Sequence, residues 1–501
     1  EGGTLDTFKG SLAVSGSGKL LYPINYSITF SQLGSAGQLV RDGFENGTLS
    51  ARLGADLSKW GTLDLILRFF ASNKEIPFDF VFDPFTILPG FPFGITRQTF
   101  DQNSVQDDSQ LFGTLSYRVT PAPWWRVRFQ GSGQGFRRKF DNDFDPILAP
   151  NFAKSRSFGT KGIVELQNDF FLLDFLTLTI GYEFKHDRAR FTSLDNFATN
   201  FGFGLAPPTF SKTGVKAIDD NGVYLQAHME FLERLFITLG VRYDHFSTFG
   251  DTTNPKVSVA YLIKRSGTKL KAGWGRQFNA PTIVDLFFPG FSNPLLKPER
   301  AWSVEGGFEQ EFFKGRLKFD AVYFHISFRD RIQVVPLTVP PFFALLNVGR
   351  GRSDGLEFSL TARPLRPLRL TTQYTYLFTK DSRTDDDFPR RPRNKFNFGL
   401  GYDPTERLHL NLDFLTVGSH RDLFRFIEAG GLLRIKGRNQ GYNRLDLSLS
   451  FDTILEKDKH PFFKGLTIFG KVENLLNEKY QEVKGFDSPG TMLLGGIRGR
   501  F

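Results

Sequence analysis

The fold of this chain is constrained most by an alternation of apolar and polar residues that recurs along its length. In residues 22–31 the apolar set is Tyr22, Ile24, Tyr26, Ile28 and Phe30. Alternation with a period of two predicts β-strands that each bury one face. Because the polar faces carry charges in mid-strand, as at Arg52, Arg128 and Arg242, we expect them to line a water-filled lumen and not the outside of a soluble sandwich.

The composition agrees with strands that cross a membrane. No run approaches the roughly 18 apolar residues that a membrane helix needs, and mean hydropathy is -0.25. A barrel keeps this average low because only every second residue faces lipid. The apolar weight lies in 58 Phe and 50 Gly, with 2 Met and no Cys, which excludes disulfide frameworks, thiolate metal sites and cysteine nucleophiles.

The connections between the predicted strands alternate in length. Short ones include residues 59–61 and 314–316, whereas long ones include 73–107 and 422–441. Short turns at one rim and long loops at the other are typical of an outer-membrane barrel. We count about 21 strands, and since such barrels have even strand numbers we expect one more.

The C-terminal segment predicts how the barrel closes. Residues 465–501 form two amphipathic segments around a turn, and alternation continues to the final residue, Phe501. A last strand of this kind is suited to pair with the first strand, so that no strand edge is left in lipid.

Several motifs of this segment and of the preceding half resemble TonB-dependent outer-membrane receptors. The C-terminal motif consists of Asn474, Leu475, Asn477, Tyr480, Gly485, Phe486, Pro489, Gly490 and Phe501. Internal blocks are carried by Gly275, Phe278, Ala280, Pro281 and Thr282, by Asn293, Pro294, Leu296, Pro298 and Glu299, by Asn347, Gly349, Gly355 and Glu357, and by residues 390–394. The chain departs from the family pattern at Asn279, Thr491 and Gly499.

The resemblance implies an all-β, transmembrane antiparallel barrel with the 22-stranded architecture of this family, located in the bacterial outer membrane. Residues 1–501 would form the barrel domain. Residues 7–17 resemble the family's second strand, so we expect the first strand and the plug domain, with its TonB-coupling box, to lie upstream of Glu1.

The implied function is that of a receptor and active transporter. It binds a scarce ligand, such as a ferric siderophore or cobalamin, and imports it with TonB-coupled energy. The implied partners are the TonB complex through the plug, outer-membrane lipid and lipopolysaccharide, the barrel-assembly machinery through Phe501, and a small-molecule ligand. No cofactor is implied. A passive porin-like channel and a barrel hydrolase remain as alternatives.

Candidate ligand-binding residues lie in Phe-rich segments of two long loops. They are Phe80, Phe82, Phe85, Phe91, Phe342 and Phe343. These rings would form an apolar vestibule that grips part of a ligand. The alternative is that they pack the loops together or belong to an aromatic girdle.

Other residue groups favour structural roles over chemistry. Two acidic clusters, residues 141–145 and 385–387, lack the spacing of an EF-hand and suit loop solvation better than calcium. The 7 His are far apart in sequence, so we expect no metal site. No catalytic motif is present, which favours a protein that is not an enzyme. The net charge of +10 is scattered, which argues against nucleic acid as a partner.

Overall fold

A computed structural model of the chain describes most of its length. The described residues are 1–38, 41–76, 78–83, 94–100, 103–143, 153–195, 209–289, 292–336, 343–428, 431–483 and 486–501. In a few strand segments the description covers the backbone alone, and these are 78–83, 94–100, 423–428 and 431–436 together with residues 195, 209, 336 and 343.

Nearly all regular structure is β-strand. In chain order the strands are β1 (Gly2–Gly3), β2 (Thr7–Lys19), β3 (Pro23–Ser35), β4 (Phe44–Asp56), β5 (Thr62–Glu75), β6 (Phe78–Asp83), β7 (Gly94–Phe100), β8 (Val105–Ala122), β9 (Trp125–Asn142), β10 (Ala153–Leu173), β11 (Leu176–Asp195), β12 (Thr209–Lys212), β13 (Lys216–Phe231), β14 (Leu235–Phe246), β15 (Gly250–Ile263), β16 (Thr268–Asn279), β17 (Glu299–Phe312), β18 (Leu317–Pro336), β19 (Phe343–Leu365), β20 (Leu368–Asp381), β21 (Asn394–Tyr402), β22 (Leu408–Val417), β23 (His420–Glu428), β24 (Gly431–Asn439), β25 (Tyr442–Ile454), β26 (Gly465–Glu473) and β27 (Met492–Arg500). The helical elements are α1 (Ile283–Phe287) and the short 3₁₀ turns Ser58–Trp60 and Glu456–Asp458. No helix among the described residues is long and apolar enough to cross a bilayer.

The strands form a closed antiparallel ring. Each ring strand pairs with its neighbours along the chain, and β1 pairs with both β2 and β27. The ring contains 22 strands, and β12 pairs only with β11, outside it. The pairs β6–β7 and β23–β24 are separate hairpins within two of the long connections. The expected 22-stranded barrel is therefore confirmed.

The closing strand is short. The sequence indicates about 21 strands, and the structure adds β1, in which Gly2 lies opposite Phe8 and Gly495 and Gly3 lies opposite Thr7 and Leu494. The Glu1 ammonium donates to the Lys9 carbonyl oxygen at 2.8 Å, which extends the contact by one residue. The two-residue β1 therefore completes the ring close to the long-connection rim.

The outer surface follows the alternation seen in the sequence. Leu239, Val241 and Tyr243 of β14 are about two-fifths exposed, at 46%, 40% and 44%, and Val241 lies opposite the equally outward Leu225 of β13. Such exposed apolar side chains recur on most strands of the ring, and an apolar surface of this extent is typical of a face that contacts lipid. The residues between them in sequence face the lumen.

Aromatic side chains mark the short-turn rim. Trp60, Trp124 and Phe313 are 60%, 53% and 76% exposed. Phe175 stacks on Phe231 with ring centroids 5.1 Å apart. A belt of aromatic rings is expected where strands leave the hydrocarbon layer for the headgroup region.

At the long-connection rim, a small apolar core folds one loop onto the inside of the wall. Its buried members are Ile218, Phe246, Leu286, Leu296 and Leu345. Leu286 belongs to α1, which begins with a capping box: the Asp285 N–H donates to the Thr282 hydroxyl, and the Thr282 N–H donates to the Asp285 carboxylate. The cap fixes the start of the helix and so places Leu286 against the wall.

The C-terminal motif is organised around Asn474. This residue is 2% exposed and has a φ of 52°, a left-handed conformation that Asn tolerates better than most residues. Its backbone N–H donates to Asp446 at 2.9 Å, and its side-chain amide donates to the carbonyl oxygens of Glu478 and Pro489 at 2.9 and 3.2 Å. Asn474 thus joins both ends of the connection between β26 and β27.

We expect Asn474→Ala to destabilise the barrel by about 3 kcal/mol, because it leaves buried hydrogen-bonding groups without partners and strains a left-handed backbone. The measurement is urea unfolding of the purified chain in detergent. Asn25→Ala is the matched control, since Asn25 is exposed in β3, and its effect should stay within about 0.5 kcal/mol. Equal effects at the two positions would contradict this role of Asn474.

Candidate functional site

The lumen wall carries a connected set of charged and polar side chains on five neighbouring strands, which we call the luminal ion network. Its members are Arg126 and Arg128 of β9, Glu165, Gln167 and Asp169 of β10, Glu183 and Lys185 of β11, Asp220 and Tyr224 of β13, and Arg242 and Asp244 of β14. All lie on the face opposite the lipid-facing apolar residues, because they alternate with those residues along each strand. The strand register then brings them into rows across the strands.

The first half of the network holds two arginines. Arg126 donates to Asp169 at 2.9 Å, and this carboxylate, only 7% exposed, also accepts from Thr179 at 2.9 Å. Arg128 donates to Gln167 at 2.6 Å and to Glu165 at 3.2 Å. Each arginine is therefore held by a neighbouring strand and does not extend freely into the lumen.

The second half centres on Arg242. Its guanidinium contacts Asp244 at 2.6 Å and Glu183 at 2.7 Å, while Lys185 contacts Glu183 at 2.7 Å and Asp220 at 3.3 Å. The side chains of Asp244 and Asp220 are 1% and 5% exposed. Buried carboxylates require such partners, since leaving water costs an unpaired charge several kcal/mol.

Tyr224 links the two halves. Its hydroxyl donates to Glu165 at 2.7 Å, and the guanidinium carbon of Arg242 lies 5.8 Å from the centre of its ring. Two glycines provide the space. A Cβ on Gly222 would lie 2.1 Å from an Arg242 nitrogen, and one on Gly181 would lie 2.0 Å from the Tyr224 ring. These glycines allow both long side chains to lie flat against the wall.

A chamber of about 450 Å³ opens between this network and α1. Its charged lining consists of Lys161, Lys185, Asp187, Asp220, Arg242 and Asp244, and its apolar lining includes Phe246, Phe278 and Ile283. One carboxylate oxygen each of Asp220 and Asp244 is buried without a hydrogen-bond partner among the described residues. A polar group that enters the chamber from the lumen meets Lys161 and Asp187, whose side chains are 40% and 35% exposed.

A second buried network fixes the base of the hairpin β23–β24. Arg390 donates to Asp422 at 2.9 Å, and the Asn439 amide donates to the same carboxylate at 3.2 Å and to the Glu482 carbonyl oxygen at 3.1 Å. Asp422 and Asn439 are 1% and 3% exposed. The hairpin is thus fastened where it leaves the barrel wall.

The Phe residues predicted to bind ligand fall largely outside the described part of the chain. Phe85, Phe91 and Phe342 lie outside the described residues. Phe80, Phe82 and Phe343 lie in β6 and β19, at positions where only the backbone is described. Their role in ligand binding stays a prediction.

The acidic clusters and histidines are engaged in local pairs. Asp385, Asp386 and Asp387 contact Lys380, Arg421 and Arg393 at 2.6, 3.0 and 2.9 Å. Asp141 and Asp143 pair with Lys139 and Lys154, while Asp145 lies outside the described residues. His186, His245, His325 and His409 each pair with an aspartate at 2.6 or 2.7 Å. Over the part of the chain that is described, no group of three or more potential ligands is placed to hold a metal ion.

The sequence identified the lumen arginines but not their partners. Arg52, Arg126, Arg128 and Arg242 each contact a carboxylate of the wall. Asp169, Asp220, Asp244 and Tyr224 were missed, since every polar face in the chain shows similar residues and only the strand register reveals which are neighbours.

A family model described as the TonB dependent receptor-like beta-barrel matches residues 59–475. The chain belongs to this family. It is accordingly a barrel of the bacterial outer membrane.

Similar proteins include receptors for several cargoes. The vitamin B12 transporter of Vibrio vulnificus is 25% identical over 359 residues, which cover 70% of this chain and 51% of that transporter. The pyoverdine outer membrane receptor of Pseudomonas aeruginosa has a TM-score of 0.77 at 14% identity, over 100% of this chain and 77% of that receptor. The siderophore receptor PirA of Acinetobacter baumannii has a TM-score of 0.76 at 15% identity, over 99% and 78%. Matches at these identities to solved structures establish the fold alone, and the chain spans about half the length of the vitamin B12 transporter that it matches.

We expect Arg242→Met to destabilise the barrel by about 2 to 3 kcal/mol, because it leaves the buried Asp244 and Glu183 without their shared cation. Urea unfolding in detergent measures the effect. Arg52→Met is the matched control: Arg52 and Asp64 form an exposed pair on the same face, 56% and 35% accessible, so its loss should cost less than about 1 kcal/mol.

A second variant tests the charge argument directly. Arg242→Met combined with Asp244→Asn and Glu183→Gln removes the uncompensated charges and should recover part of the lost stability. If the triple variant is less stable than Arg242→Met alone, the electrostatic explanation of the network is wrong.

Proposed function

We propose that the chain is the barrel of an outer-membrane active transporter that binds and imports a scarce ligand, such as a ferric siderophore or cobalamin. The observation that carries this proposal is the closed ring of 22 strands with a charged lumen wall. A ring of this size encloses a lumen wide enough for a plug and for ligands that porins exclude. The names of the family members that it matches agree with this function.

The proposed mechanism follows from the width of the lumen, which would let solutes cross the outer membrane freely if nothing filled it. We propose that a plug domain, encoded upstream of Glu1, occupies the lumen and that the TonB complex acts on it to open a path. The luminal ion network then offers the plug and the passing ligand a wall of hydrogen-bonding groups. Lys161 and Asp187 line the chamber and are 40% and 35% exposed, so they would offer such a surface a donor and an acceptor.

Ligand capture is assigned to the outer loops. We propose that Phe80, Phe82, Phe85, Phe91, Phe342 and Phe343 form an apolar grip for part of the ligand. The chamber beneath α1, with its polar and apolar linings, would receive the ligand next. In this order, a ligand first contacts the apolar Phe side chains of the loops and then the polar side chains of the chamber.

Further partners follow from the same placement. We propose that Phe501, which is 74% exposed and packs on Phe463 at 4.8 Å, is read by the barrel-assembly machinery. We propose that the outer wall contacts lipopolysaccharide. We assign no catalytic role, since the similar proteins are named as transporters and receptors.

Uptake measurements test the proposed function. The gene that encodes this chain is expressed in a bacterium that lacks its own siderophore and cobalamin receptors, with and without functional TonB. We expect saturable uptake of one cargo from a panel of radiolabelled ferric siderophores and cobalamin, and its loss without TonB. Uptake that rises linearly with concentration and persists without TonB would instead identify a passive channel.

The apolar grip is tested by replacing Phe80, Phe82 and Phe91 with Ser together. Loss of three apolar contacts should weaken binding of the transported cargo about tenfold or more, because interface aromatics contribute much of the binding energy. The matched control replaces Phe175, Phe313 and Phe462, which are exposed at or near the short-turn rim. Unchanged cargo affinity in the first variant would reject the grip and leave the transport proposal standing.

A further inference from the structure

Three arginines lie side by side near the long-connection rim, and we call them the outer arginine cluster. Arg276, Arg300 and Arg329 belong to β16, β17 and β18 and are all exposed. Arg300 lies directly opposite Arg329 across β17 and β18, and Arg276 lies opposite Trp302, two residues from Arg300. Three consecutive strands thus present cations within two residues of one another in register.

The cluster faces outward, away from the lumen. Arg276 alternates in phase with Trp274, Arg300 with Trp302, and Arg329 with Tyr323. These three aromatic side chains are 38%, 42% and 46% exposed on the lipid-facing surface. The opposite face of the same strands carries polar lumen contacts, such as Gln277 with Ser303 at 2.9 Å. The guanidinium groups therefore stand just beyond an aromatic belt, at the level of the outer headgroups.

The cluster brings three positive charges close together. Within the described residues, none of the three arginines forms an ion pair, whereas Arg352 on the next strand lies 3.5 Å from Asp354. Like charges directly opposite each other on adjacent strands destabilise a sheet. A site that keeps Arg300 opposite Arg329, with Arg276 nearby, is suited to a polyanion that neutralises the three together.

A hollow in the wall adjoins the cluster. Pairing between β15 and β16 reaches only as far as Lys256 and Gly275, and above this point a cavity of about 590 Å³ is lined by all three arginines together with Asp251, Thr253 and Ser327. Asp251 is already hydrogen-bonded to His245 at 2.6 Å. The hollow combines guanidinium groups with hydroxyl groups, which suits a phosphorylated sugar.

We propose that the outer arginine cluster binds the phosphate groups of a phosphorylated glycolipid of the outer leaflet. The sugar would occupy the hollow, and the acyl chains would run down the wall past Trp274, Trp302 and Tyr323. The proposal rests on the lipopolysaccharide partner proposed above and gives that contact a defined place. It does not depend on the identity of the imported ligand.

Native mass spectrometry of the purified chain in detergent tests the site with diphosphoryl lipid A as the probe. We expect the chain with Arg276→Gln, Arg300→Gln and Arg329→Gln to bind this lipid at least about tenfold more weakly, because charge-assisted contacts to phosphate are lost. Binding of phosphatidylethanolamine should not change. Retained affinity for diphosphoryl lipid A in the triple variant would overturn the proposal.

The chain offers a matched control at its other rim. Arg234, Arg265 and Arg316 are exposed near the short turns between β13 and β18, so their replacement by Gln removes the same charge far from the cluster. This control should bind diphosphoryl lipid A as the unmodified chain does, and an equal loss would show a net-charge effect and reject the site.

A measurement without any variant completes the test: the unmodified chain should prefer diphosphoryl lipid A to its dephosphorylated form, and equal binding of the two would refute phosphate recognition. Cargo uptake is not measured in these experiments, so their outcome is separate from that of the transport proposal.

Discussion

The structure depends on one requirement, that every backbone N–H and C=O group within the hydrocarbon layer finds a partner. Strands satisfy it only when the last pairs with the first. In this chain the described closing contact is β1, whose two residues pair with β2 on one side and with β27 on the other, close to the long-connection rim. The amphipathic alternation, the lipid-facing aromatics and the polar lumen all follow from the closure of this ring.

Closure of the ring creates a lumen in which buried charged side chains are stable when they form ion pairs. Arg242 serves both Glu183 and Asp244, and Lys185 serves both Glu183 and Asp220. Because each of these two cations contacts two carboxylates, this half of the network does not depend on a single ion pair. Rim loops are fixed in a different way, by an apolar core around Leu286 and by the buried Asp422 and Asn439. The barrel therefore combines an electrostatically organised wall with separately anchored loops.

The sequence predicted the architecture well because alternation and turn length are local properties. The Phe501 terminus and the Asn474 motif correctly indicated the closing hairpin. The partners of the lumen arginines were not predictable. Arg242 of β14 contacts Glu183 of β11 across the intervening β13, and no local sequence pattern reveals which residues of two polar faces become neighbours. The outer arginine cluster was missed for the same reason, since Arg300 and Arg329 become neighbours only through the pairing of β17 with β18.

The orientation of the long polar side chains on the wall determines how much of the lumen is open. Gly181 and Gly222 leave room for Tyr224 and Arg242 to lie along the strands, with the guanidinium 5.8 Å from the tyrosine ring. The side chains of Tyr224 and Arg242 therefore lie against the wall, where they do not narrow the lumen. The two glycines therefore leave this side of the lumen wider than it would be with any other residue at these positions. The backbone thus helps to set the width of the lumen that is available to a plug or a ligand.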